Sequence, residues 1–133
     1  MLAGVTAERM RERWKGHLDA PAAGRLLLVA ECGGEIVGTA ASGPLRDGDG
    51  DDATTGELYS LYVDPDAWGV GHGAALHEAA LAHLAAGGFA RAVLWVLEGN
   101  ARARSFYAAH GWTDEGDRRD WEGARMLRLA RDL

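Results

Sequence analysis

Apolar positions along the chain fall into two spacings. In VTAERMRERWKGHLDAP, Met10, Trp14 and Leu18 recur every fourth residue, which predicts a helix over 6–19 with Thr6 as its N-cap and Pro21 and Gly24 beyond its end. RLLLVAEC and EIVGTAASG flank Gly33-Gly34, the pattern of a β-hairpin. ELYSLYV, residues 57–63, is a third strand, broken by Asp64-Pro65. GHGAALHEAALAHLAAGG predicts a helix whose small side chains let it sit close to a sheet, stopped by Gly87-Gly88. RAVLWVLE is continuously apolar, as in a strand covered on both faces. NARARSFYAAHGW predicts a helix N-capped by Asn100 and ended by Gly111, and residues 112–133 hold two more strands around a turn at Trp121-Glu122-Gly123.

The order is helix, run of strands, strand–helix–strand–helix, then strands. One crossover inside a mostly antiparallel plan gives an α+β fold, a mixed sheet flanked by helices. The length of 133 residues suits one domain, spanning 1–133.

Composition narrows the partners. The net charge of −6 argues against nucleic acid and anionic membranes, which need clustered Lys and Arg. No signal-peptide pattern and no apolar run of membrane-spanning length occur, so the chain reads as soluble and cytoplasmic. Cys32 is the only cysteine and reads as a small buried hydrophobe. In RDGDGDDATTGE, residues 46–57, Asp47, Asp49 and Asp51 open like a calcium loop, but Asp52 and Leu58 stand where Gly and Glu are needed. HEAALAH is not a zinc site, because the position four after His77 is Leu81; His77 and His83 read as surface or boundary residues. No metal is expected.

The chemistry concentrates in AWGVGHGAALHEA. Gly69, Gly71 and Ala74 spell G-x-G-x-x-A, a dinucleotide-binding spacing. The rest of such a domain is missing: Asp64–Trp68 separate strand from glycines, and too little chain follows Glu98 for further strand–helix units. The underlying physics remains. A glycine turn opening a helix offers free backbone N–H groups and a positive dipole end to a phosphate or pyrophosphate. Coenzyme A presents a pyrophosphate without needing a dinucleotide fold.

LYVDPDAWGVGHGAAL resembles the acetyl-CoA loop of the GNAT superfamily of N-acetyltransferases, a strand followed by V-x-P and [RQ]-x-x-G-x-[GA]. Asn100, Phe106, Tyr107, Gly111 and Trp112 resemble the family's second hallmark. In the departures, Trp68 replaces the usual Arg or Gln, and Val70 replaces a frequent basic residue, which weakens contact with the CoA phosphates. The family's usual first strand and helix, ahead of the helix at 6–19, are absent, either because the chain is naturally short or because its start is truncated; a missing first strand exposes a sheet edge and invites a homodimer.

The resemblance implies acetyl-CoA as cosubstrate, a GNAT-like fold and direct acetyl transfer to a primary amine of a small molecule or peptide. It puts Leu61, Tyr62, Val63, Gly69, Val70, Gly71, His72, Gly73, Ala74, Asn100 and Tyr107 at the cofactor. A backbone N–H within Leu61–Val63 is the expected oxyanion donor. An alkylamine is only about one part in 10³ neutral at pH 7, so a base is valuable. Glu57 is the first candidate, through water, and Glu98 the second. Tyr107 is the expected general acid toward the thiolate. The rival is a CoA-binding module with little or no catalysis.

Overall fold

A computed structural model describes residues 24–46 and 53–133. The helix expected over 6–19 and residues 47–52 of the Asp-rich loop lie outside the described residues. Six strands form one sheet: β1 (Leu26–Cys32), β2 (Glu35–Pro44), β3 (Thr55–Val63), β4 (Arg91–Leu97), β5 (Thr113–Trp121) and β6 (Ala124–Asp132). Two helices, α1 (His72–Ala86) and α2 (Ala101–Ala109), accompany them.

The strand order is β1-β2-β3-β4-β6-β5. Only β3 and β4 run parallel, joined by the α1 crossover; the other neighbours are antiparallel. The mixed α+β plan expected from the sequence is therefore the observed one. Gly33 and Gly34 turn the first hairpin with φ of 61° and 86°, the left-handed values that a tight two-residue turn demands.

The apolar patterns meet on one face of the sheet. Leu76, Ala80 and Leu84 of α1 are all 0% exposed and pack on Leu58 and Leu94. Tyr107 of α2 and Trp112, which follows it, close the same core. Cys32 is half-buried at a strand end, not buried as expected.

His77 corrects its sequence reading more sharply. It is fully buried, in edge-on contact with Phe106, His110 and Trp112. Burial is tolerable because the neutral ring accepts a hydrogen bond from Trp112 Nε1 at 2.9 Å. His83 is half-buried, its Nε2 2.9 Å from Gly24 O.

Candidate active site

The site begins as a defect in the sheet. β3 pairs with β4 only over Thr55–Glu57 and Arg91–Val93. Just beyond, the β2–β3 register shifts, with Ala41 opposite Ser60 but Ser42 opposite Leu58, so Tyr59 is the extra residue of a bulge. A bulge bends its strand and ends regular pairing. β3 thus swings away from β4 and leaves an unpaired edge over Leu61–Val63.

The direction of that edge follows from two hydrogen bonds. Asp64 N–H donates to Val37 O on β2 at 2.8 Å. Strand residues alternate, so the N–H and C=O groups of Leu61 and Val63 turn the opposite way, into the gap. Val63 O accordingly accepts from Trp68 Nε1 at 2.8 Å rather than from a strand.

A cleft of about 470 Å³ fills the gap. Its walls are the Leu61–Val63 edge, the turn before α1, and α2 from Asn100 to Tyr107. Asp64-Pro65 starts a short 3₁₀ turn, Pro65–Ala67, that carries the chain round to the glycines. Gly69 and Gly71 hold φ of 84° and 89°, so a residue with a Cβ would be strained at either. Gly71 is the N-cap of α1 and offers no side chain, and the first turn holds no carboxylate. The first N–H groups of α1 are left for a ligand. His72, 3% exposed, lines the cleft, and its Nδ1 is buried without a hydrogen-bond partner among the described residues.

α2 enters from the other side. Asn100 caps it, its Oδ1 accepting from Ala103 N at 3.1 Å, and still lines the cleft. Tyr107, 7% exposed, also lines the cleft, and burial pushes its phenol up to about 12. Phe106 stacks on His110 at 4.1 Å and forms part of the wall. At the mouth, the Arg102 guanidinium lies 3.7 Å from the centre of the Trp68 ring.

The two candidate carboxylates are placed differently. Glu57 is 0% exposed and does not line the cleft. It is the last residue of β3 that pairs with β4, where the gap begins. Arg46 holds its carboxylate: the backbone N reaches Oε1 at 3.0 Å, Nε reaches Oε2 at 2.9 Å, and Nη2 also bonds Oε2. Glu98 is exposed after β4, outside the cleft lining. Among the described residues, no cluster of three His, Cys, Asp or Glu could hold a metal ion, and no helix is long and apolar enough to cross a membrane.

Residues 3–112 match the model of the Acetyltransferase (GNAT) family. The chain belongs to the GNAT family. A mycothiol acetyltransferase of Geodermatophilus obscurus is 34% identical over 120 residues, covering 90% of this chain and 38% of the relative. The chain thus spans about two fifths of that relative's length. An uncharacterized N-acetyltransferase of Mycobacterium bovis is 38% identical over 86% of this chain and 68% of its own. Among solved structures, a ribosomal-protein-alanine N-acetyltransferase from Brucella melitensis aligns with TM-score 0.69 at 26% identity, covering 82% of this chain and 69% of that one. A PaiA N-acetyltransferase from Thermoplasma acidophilum, in complex with coenzyme A, aligns with TM-score 0.66 at 21% identity, over 83% of this chain and 62% of that one, a likeness of fold.

Residues from β3, the glycine turn and α2 meet in one cleft. Of the residues expected at the cofactor, all but Val70 line it; Val70 is 39% exposed and outside the lining. Ala67, Trp68, Arg102, Ala103 and Phe106 line it as well. Helical spacing was the available signal, since 103 and 107 follow 100 on one face of α2.

Proposed function

We propose that the chain is an acetyl-CoA-dependent N-acetyltransferase that moves the acetyl group directly to a primary amine. The observation that carries this reading is the splay of β3 from β4, which opens a strand edge, an uncapped helix N-terminus and a buried tyrosine into one cleft. An amide-bearing arm can pair with the Leu61–Val63 edge as an added strand would. The α1 N–H groups suit a pyrophosphate. Family membership and relatives named as acetyltransferases support acetyl transfer, and neighbours described with coenzyme A or acetyl-CoA bound support the cosubstrate.

In this reading the amine nitrogen attacks the thioester carbon, and the C–S bond breaks. A strand N–H of Leu61–Val63 stabilises the oxyanion. Glu57 takes the amine proton through water, and Tyr107 donates its phenolic proton to the departing thiolate. The acceptor is a small-molecule or peptide amine.

A second reading, a CoA-binding module with little turnover, is favoured by the Arg46–Glu57 pairing, which occupies the candidate base. One assay separates the two: acetyl-CoA with an amine library, following free thiol and acetylated product by mass spectrometry. Amine-dependent thiol release supports the enzyme. CoA raising the melting temperature with no amine ever releasing thiol supports the module.

A further inference from the structure

Among the cleft-lining residues Arg102 is the one Arg, Lys, Asp or Glu. A cleft with a single full charge, and that charge positive, suits an anion. Arg102 is also badly placed for its own helix. It lies in the first turn of α2, where the dipole disfavours a cation. Among the described residues no carboxylate forms an ion pair with it. What holds it is Trp68. The indole is anchored at one edge by its 2.8 Å bond to Val63 O, and its face carries the guanidinium at 3.7 Å. Stacking uses the face of a guanidinium and leaves its in-plane N–H donors free.

We infer that Trp68 and Arg102 form a phosphate clamp across the mouth of the cleft. Arg102 binds a phosphate of the cosubstrate, and Trp68 positions it. The turn that opens α1 lacks a basic side chain, with Trp68-Gly69-Val70 along it, so the cation arrives from α2 instead. The inference rests on the CoA reading above and adds which side chain meets the phosphate.

The test is CoA affinity by calorimetry across a salt series. Arg102→Gln raises the Kd for CoA about tenfold and flattens its salt dependence, as loss of one charge-assisted contact requires. Trp68→Leu raises Kd in the wild-type background but has little further effect in Arg102→Gln, because the indole acts through the guanidinium. Trp68→Arg restores affinity to Arg102→Gln by returning a cation to the mouth. Both residues are exposed, and unchanged melting temperatures verify the fold. The clamp is overturned if Arg102→Gln binds CoA like the wild type, or if Trp68→Leu costs the same in both backgrounds. Wild-type protein that fails to bind CoA at all overturns the underlying cosubstrate reading instead, and the clamp with it.

Discussion

Trp112 Nε1 donates to His77 Nε2 at 2.9 Å, inside the seam between α1 and the end of α2. The bond fixes the tautomer: Nε2 is the acceptor, so the ring proton sits on Nδ1. A second proton on Nε2 removes the acceptor and charges a ring that faces His110 and Arg131. Burial first, then these two neighbours, lowers His77 from 6.5 to about 4.

The consequence is an acid-sensitive fold. Because His77 titrates lower in the folded state than in the unfolded one, the unfolded chain binds more protons between those values. Stability is complete above pH 6.5 and is lost as pH falls toward 4, by about 3 kcal/mol from this group. His77→Gln keeps an oxygen for Trp112 but cannot titrate. Its melting temperature falls less steeply between pH 7 and pH 4.5 than that of the wild type. Parallel curves for the two proteins exclude His77 as the source.

Tyr107 gives a kinetic prediction. With the phenol pushed up to about 12, it remains protonated through the working range. Its driving force toward a thiolate near 8.5 is smaller than that of an ordinary tyrosine, so its value lies in placement. Tyr107→Phe lowers kcat about 100-fold while CoA affinity stays within about twofold. The wild-type kcat shows no alkaline fall from this residue below about pH 11. An unchanged kcat in Tyr107→Phe removes the acid role.

The fold was legible where a local rule decides it. Alternation and the Gly33-Gly34 pair sufficed for the first hairpin, and an unbroken apolar run sufficed for β4. The helix N-terminus at Gly71 is local too, since it follows from glycine and position. The misread and unread features are contacts between distant segments. His77 becomes a core residue only because Trp112, 35 positions on, offers an indole N–H. Glu57 is met by Arg46 from across the β2–β3 connection, and Trp68 by Arg102 from the next helix. No periodicity encodes such partners. The extra residue at Tyr59 is similarly silent in a strand that reads as regular, yet it opens the cleft.

The two carboxylates are separable by mutation. Glu57 stands where β3 and β4 part, with its orientation fixed by Arg46, whereas Glu98 is exposed beyond β4. Glu57→Gln lowers kcat/KM about 10- to 100-fold. Glu98→Gln leaves it within about twofold. A preserved kcat/KM in Glu57→Gln transfers proton removal to Glu98 or to water.

The glycine turn makes the last prediction, and its control lies at the other end of the same helix. Gly71 opens α1 at φ 89°, and Gly88 follows its end at φ 93°. Alanine at either position meets the same left-handed strain, about 1–2 kcal/mol. Both variants therefore lose stability to a similar degree, read as a melting temperature lower by several degrees. Only Gly71 lines the cleft. Relaxing its backbone toward a negative φ turns the first N–H groups of α1 away from their common direction. Gly71→Ala accordingly weakens CoA binding at least tenfold, while Gly88→Ala binds as the wild type does. Equal affinities in the two variants, with equal losses of stability, reduce the turn to a helix start and remove it from the ligand.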